Sequence, residues 1–355
     1  DLGYGDIGAF NSEGKIKTPQ LDLMAQQGMV FTDAHTTSSV CTPTRYGILT
    51  GRYNWRSPLK KGVLSGTSSG LIPKDRTTVA SFLKSQGYQT AFIGKWHLGW
   101  NWALKDSSFI NSNIKNDEIF EKIDFTKNIS HGPNDLGFDY AYGHCGSLDM
   151  PPYVYVENGK ITAPVEKVTV REGDYHWWRS GPTAADFDHE RVSPHFFDKA
   201  EAFISRMYKQ EKPFFLYLPL PSPHTPILPT AEWKGKSGLN PYADFVMQID
   251  HRVGRINALL NKLNLAENTI VIFTSDNGCS PQAKFDVLAE KGHDPSGVFR
   301  GHKADIYEGG HRVPYIVKWP KKIKAGSVNQ NTICTSDLLA TCADLLGQPI
   351  LDNEG

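Results

Sequence analysis

In the stretch 89-QTAFIGKWHLG-99 a short apolar run stops at Gly94 and passes at once into Lys95, Trp96 and His97. An apolar run of this length, bounded by glycine, reads as a strand buried on both faces, as in parallel sheets. Three further runs share that character: 214-FFLYLPL-220, 269-TIVIFTS-275 and 313-VPYIVKW-319. Between them the sequence predicts helices. Thr18 and Pro19 supply an N-cap and a first-turn proline for a helix closed by Gly28, and Thr77 opens a second that Gly87 closes. Segments 195–209, 242–263 and 335–347 repeat apolar residues at the helical period. Helices alternating with buried-type strands predict an α/β fold with a mostly parallel, partly mixed central sheet and helices on both faces.

The ends of the strands carry the chemistry. The run 89–94 leads into Lys95 and His97, 214–220 leads into Ser222-Pro223-His224, and 269–275 leads into Asp276-Asn277-Gly278. Ligands of open α/β sheets bind beyond the carboxyl ends of the strands. Each of these residues alone has a bland explanation, since Asp, Asn and Gly favour turns. Three strands delivering such groups to one rim predict a site. Asp276 and Asn277, with Asp1 at the start of 1-DLGYGD-6, are hard oxygen donors suited to Ca²⁺ or Mg²⁺. Arg45, Lys95 and Lys303 lie at glycine-rich or strand-end positions, and such cations suit a tetrahedral oxyanion.

Composition narrows the remaining classes. With 38 Lys plus Arg against 38 Asp plus Glu, the net charge is zero, which argues against a nucleic-acid surface. No apolar run approaches the roughly 20 residues of a membrane span. Five scattered cysteines without a CxxC pair predict no disulfide scaffold, leaving at most one bridge such as Cys334 to Cys342. Region 100–190 is polar, aromatic and rich in turns, and reads as insertions over one face of a domain spanning 1–325. The chain opens on Asp1 without methionine and closes on 351-LDNEG, so it reads as trimmed, with 326–355 the start of a C-terminal part.

Cys41 sits in 38-SSVCTPTRYGILTGR-52, two residues before Pro43 and near the first turn of a helix. A packed thiol, a metal ligand, a nucleophile and a precursor of another group all remain open from the residues themselves. A helix N-terminus offers free N–H groups to an anion and lowers a thiol pKa.

Cys41-Thr42-Pro43-Thr44-Arg45 with 47-GILTGR-52 resembles the C-x-P-x-R signature of type I sulfatases, in the alkaline phosphatase superfamily. The segments 1–6, 94-GKWHLG-99, 222-SPHTP-226, 275-SDNG-278 and 309-GGHRVP-314 match that family in order. The resemblance implies an alkaline-phosphatase-like fold. It implies that a maturation enzyme oxidises Cys41 to formylglycine, whose hydrated aldehyde attacks sulfur and then expels sulfate. It further implies that Asp1, Asp276 and Asn277 bind calcium and that Arg45 holds the formylglycine. His97 would assist it, and Lys95, His224 and Lys303 would bind sulfate, with His224 or Lys303 protonating the leaving oxygen. A periplasmic or extracellular location follows from the same likeness. The chain departs from the family in having one Asp where relatives carry two before Leu-Gly, and RGHK where many carry Gly-Gly-Lys.

For substrate, His144, Asp149, His176, Trp177 and Arg179 lie on the loop-rich insertions, and His302 neighbours Lys303. Aromatic platforms with polar partners suit a sugar ring, so a sulfated carbohydrate is expected, such as a 6-O-sulfated hexosamine or galactose. The alternatives are a phosphoesterase or phosphonate hydrolase of the same superfamily and a non-catalytic binder of sulfated glycans.

Overall fold

Strand Gln89–Lys95 lies between Tyr140–His144 and Phe214–Tyr217, parallel to both, in a computed structural model that describes residues 1–109 and 117–350. Its five-stranded sheet runs, in order, Lys160–Ile161, Val156–Glu157, Tyr140–His144, Gln89–Lys95 and Phe214–Tyr217. Ala91, Phe92 and Ile93 are buried, as the unbroken apolar run requires. Gly94 has φ 140°, and a Cβ there would sit 2.1 Å from the Pro219 carbonyl oxygen. Only glycine permits that approach, and it lets Lys95 N–H donate to the same oxygen at 2.7 Å. The backbone thereby fixes where Lys95 leaves the sheet.

A four-stranded sheet holds Val271–Thr274, Tyr315–Lys318, Met29–Phe31 and Ser327–Asn329 in that order. Tyr315–Lys318 is antiparallel to both neighbours, whereas Met29–Phe31 and Ser327–Asn329 are parallel. The sheet structure is therefore mixed, as expected. One group of helices, Pro19–Gln27, Val192–Gln210 and Pro241–Lys262, packs together; a second consists of Cys41–Thr50, Val79–Ser85 and Leu338–Leu345. Strand Gln89–Lys95 touches helices of both groups. Among the described residues no helix is long and apolar enough to cross a membrane.

Several local expectations change. Thr18 makes no cap to its own helix; its hydroxyl accepts from Gly8 N–H at 2.9 Å and donates to Asp22. Thr78, not Thr77, caps Val79–Ser85, accepting from Ser81 N–H at 3.0 Å. Region 100–190 supplies strands to the sheet as well as cover, and adds the antiparallel hairpin Val165–Arg171 and Trp178–Ala184. Residues 110–116 of that region, and 351–355 of the expected C-terminal part, lie outside the described residues. Trp96, Trp100 and Trp102 are buried in one apolar cluster with Phe92 and Phe138, so these aromatics serve the core. All five cysteines are free, and the Cys334 to Cys342 bridge does not form.

Candidate active site

Cys41 is the first residue of helix Cys41–Thr50 and is 2% exposed. Pro43 stands in the first turn, where its missing N–H costs nothing, and Gly51 closes the helix at φ 66° by donating to the Gly47 carbonyl. A side-chain atom each from Cys41, Asp1 and His224 lies within 4.8 Å of the others. Lys303 reaches the same place, its ammonium 2.8 Å and 2.9 Å from the Asp1 carboxylate oxygens. Residues 1, 41, 224 and 303, remote in sequence, meet at one point.

Arg45, one helical turn after Cys41, turns its guanidinium to Asp276, with Nε and Nη2 donating to Oδ2 at 3.1 Å and 2.7 Å. Its Nη1 donates to the Lys95 carbonyl at 2.9 Å, tying the helix to the strand end. The Asp1 backbone nitrogen donates to Asp276 Oδ1 at 2.9 Å. Asn277 Nδ2 donates to Asp1 Oδ1 at 2.8 Å, while its Oδ1 is a buried acceptor without a hydrogen-bond partner. Two carboxylates and an orphaned amide oxygen in one buried space form a donor set that fits a hard cation.

The electrostatics follow from crowding. Burial raises the Cys41 thiol pKa, but Lys303, Lys95 and Arg45 outweigh it and bring it below the usual thiol value. Asp276 is opposed by burial yet held well below the carboxylate range by neighbouring cations, Arg45 and Lys95 among them. Lys95 is lowered, by burial first. His97 and His224 are both driven well below the usual imidazole value by burial, then by the neighbouring lysines.

The partners of these histidines fix their tautomers. His97 Nε2 lies 2.9 Å from the Leu64 carbonyl, which only accepts, so Nε2 carries the proton and Nδ1 is left as a buried acceptor without a partner. His97 holds this pose at φ 55°, a region that a non-glycine residue occupies at some cost. His224 Nδ1 donates to the Thr225 carbonyl at 2.6 Å, leaving the Nε2 lone pair 3.9 Å from Asp1 Oδ2. His224 Nδ1 is also 3.9 Å from Asp149 Oδ1.

Of the residues expected to touch substrate, Asp149 joins this centre through His224, and Arg179 joins through Asp149. Arg179 Nη1 pairs with the Asp149 carboxylate, is half exposed, and lies 5.3 Å from the Trp177 ring. His144 is not brought to the surface: it is fully buried, its ring nitrogens 3.3 Å from the Val154 and Ser147 carbonyls, and burial lowers its pKa to about 4. His176 lines a cavity of about 400 Å³ with Arg171, Glu190 and Lys234. His302 keeps Nδ1 2.9 Å from the Lys303 carbonyl and rests against Phe285.

Sequence reasoning missed the scaffold under Asp1. Tyr242 donates to the Asp1 carbonyl at 3.2 Å and to Asp6, which also accepts from Gly3 N–H and lies 3.0 Å from His293 Nε2. Asp6 was visible in 1-DLGYGD-6, but its partners come from residues 242 and 293, which no local pattern marks.

Buried neutral histidines predict an acid-sensitive fold. His144 titrates near 4 and His189 near 3 in the folded chain, and His97 and His224 are also depressed. Each takes up its proton in the unfolded chain near the ordinary value of about 6.5. The unfolded state thus binds more protons below that pH, and each group removes up to about 1.4 kcal/mol per pH unit. Asp250, raised to about 6 by burial, and Asp22, also raised by burial, act oppositely. Thermal melts should fall steadily from pH 7 to pH 5; a flat profile would contradict the buried neutral state.

The family model described as Sulfatase matches residues 1–348. An N-acetylgalactosamine-6-O-sulfatase of Bacteroides thetaiotaomicron is 34% identical, the alignment covering 99% of this chain and 71% of that protein. Human steryl-sulfatase is 31% identical, over 99% of this chain but 65% of its own length. A structure described under metabolism of multiple glycosaminoglycans by Bacteroides thetaiotaomicron superposes with TM-score 0.85 at 33% identity, covering 100% of this chain and 77% of that one.

Proposed function

Because the chain belongs to the sulfatase family, a family of sulfuric ester hydrolases, we propose that it hydrolyses a sulfate ester on a carbohydrate, with a 6-O-sulfated N-acetylhexosamine as the preferred unit. One observation carries the reading. Lys95, Arg45 and Lys303 converge on a buried Cys41 beside an oxygen-rich cation site, an arrangement suited to an oxyanion and a nucleophile at one point.

In this reading Cys41 is the residue converted to formylglycine by a maturation enzyme, and Asp1, Asp276 and Asn277 hold calcium. The modified residue would supply the nucleophilic hydroxyl and the calcium ion positive charge toward the sulfate oxygens. The chain's own residues do the rest. Arg45 fixes Asp276 and the helix that presents residue 41. Lys95 and Lys303 offset the charge of the arriving sulfate. His97 Nδ1, a buried acceptor without a partner, would assist the modified residue by accepting a proton. His224 and Lys303 lie on the leaving-group side, next to Asp1. The sulfate's negative charge opposes the lysines that depress His224, so substrate binding raises its proton affinity and readies it as an acid.

Asp149 and Arg179 are then the residues that grip the sugar, with Trp177 beside them as an apolar face. This is supported by the run of contacts Arg179, Asp149, His224, Asp1, which leads from a half-exposed guanidinium to the centre. Arg179→Ala should raise KM about tenfold, the effect of about 1.4 kcal/mol, and change kcat less. Equal losses in kcat and kcat/KM would instead put Arg179 in the chemical step.

The test is sulfate release from defined sulfated mono- and disaccharides by protein matured in a competent host. The reading predicts release from a 6-O-sulfated N-acetylhexosamine. Turnover of phosphate or phosphonate esters with none of any sulfate ester would overturn it, as would glycan binding without turnover.

A further inference from the structure

We propose that His35, His311 and Glu308 form a second metal site, for a divalent transition ion of the zinc class, separate from the Cys41 centre. His35 ends the short strand Ala34–His35, and Glu308 and His311 begin and end the helical turn Glu308–His311. A ring nitrogen from each histidine and one Glu308 carboxylate oxygen all lie within 4.8 Å of one another. All three side chains are half-buried, so an ion has a path from solvent.

The hydrogen bonds around the rings fix which nitrogen each turns inward. His311 Nε2 lies 2.9 Å from the Ile306 carbonyl, which can only accept, so Nε2 carries the proton. His35 Nε2 lies 2.9 Å from Asp33 Oδ1. Asp33 also takes the Arg312 guanidinium at 3.0 Å and the Thr332 hydroxyl, so its carboxylate is the acceptor here. With each Nε2 facing an acceptor, each ring turns its Nδ1 inward, and these two atoms stand 3.0 Å apart. At that distance a single positive centre, a proton or a metal ion, can be shared between the two nitrogens. Two bonds of about 2.0–2.1 Å at a tetrahedral angle place such nitrogens about 3.3 Å apart, a few tenths of an ångström from what is seen.

The outer contacts are those of a metal-bound histidine pair. Ligating imidazoles commonly donate their other N–H to a carboxylate or a backbone carbonyl, which fixes the tautomer. Asp33 and Ile306 O do so here. Imidazole with carboxylate suits zinc, cobalt, nickel or copper better than calcium. Glu308 also pairs with Arg312 at 2.8 Å. Arg312 keeps Asp33 at 3.0 Å and the Thr32 carbonyl at 3.0 Å and 2.6 Å, so turning Glu308 to an ion leaves the guanidinium anchored. Losing that rim pair costs about 0–1 kcal/mol.

A metal there would clamp two segments of the main centre. Residue 35 precedes the loop into Cys41, and Glu308–His311 follows the loop that carries Lys303. The segments already meet through Thr36 N–H to the His311 carbonyl at 2.8 Å and Ala304 N–H to the Ser39 carbonyl at 2.9 Å.

The test is a Co²⁺ titration of the full chain, stripped with chelator and then saturated with calcium, followed by visible absorption. One equivalent with a tetrahedral spectrum is expected, without sulfur charge-transfer absorption, and displaced by Zn²⁺. His311→Gln and His35→Gln should each weaken binding at least about 100-fold, and Asp33→Asn by about 10–100-fold. Asp276→Asn should leave the Co²⁺ spectrum unchanged. Zn²⁺ should raise the melting temperature of wild type but not of His311→Gln. No Co²⁺ band in wild type would overturn the proposal, as would a band with sulfur absorption that survives His311→Gln, which would locate the ion at Cys41.

Discussion

Cys41→Ala is expected to remove sulfate-ester hydrolysis altogether, a loss of about 10⁶-fold or more, since rate enhancements of enzymes begin near that size. No other residue in the centre replaces what position 41 supplies. Cys41 is 2% exposed and the change removes one small buried group, so the fold should lose only about 1 kcal/mol. Affinity for a sulfated sugar should change little, because Arg45, Lys95, Lys303, Asp149 and Arg179 all remain. Calorimetry or fluorescence on the inactive variant checks this directly. Residual turnover within a hundredfold of wild type would mean that the nucleophile lies elsewhere.

Asp276→Asn should be damaging in two separable ways. Asp276 neutralises a buried Arg45 guanidinium, and an amide cannot. Breaking a buried ion pair by removing one partner costs about 3–5 kcal/mol, chiefly because the other charge stays behind unpaired. Urea unfolding in chelator should show that loss. Excess calcium should then stabilise wild type, by about 2.7 kcal/mol at 100 times its Kd, and stabilise the variant far less. A variant as stable as wild type in chelator would mean that Arg45 finds another partner; a variant that gains equally from calcium would remove Asp276 from the cation site.

The parts of the fold that were legible in sequence share a physical cause. Runs 89–94 and 269–275 form strands around apolar centres, residues 91–93 and 270–273, though the second is an edge strand with Ile272 38% exposed, and their polar successors are carried to the rim by the sheet itself. The capped helix Pro241–Lys262 was readable from its period, with Asn240 accepting from Ala243 N–H at 3.1 Å. The turn in 156-VENGKI-161 was also readable, since Asn-Gly between short apolar runs is a hairpin signal and Asn158 and Gly159 have φ 48° and 88°. Hairpin Val165–Arg171 with Trp178–Ala184 gives no such sign. Val168 and Val170 are 67% and 61% exposed, so no buried face imposes an alternating pattern.

The site divides in the same way. Lys95, His224 and Asp276 follow strands, and a strand end is a place that sequence can predict. That Asp149 faces His224 depends on how a loop of the insertion returns over the sheet. That His35 faces His311 depends on a bridge between residues 276 apart in sequence. Neither pairing has a local signature, because tertiary contact alone creates it.

Position 41 is expected to work as formylglycine on a sulfate ester. The most direct measurement is the mass of the peptide containing residue 41, taken from active protein made in a maturation-competent host. The account predicts a peptide about 18 Da lighter than its cysteine form, reactive toward a hydrazide, in proportion to sulfatase activity. Fully active protein whose peptide carries only the unmodified Cys41 thiol would contradict it.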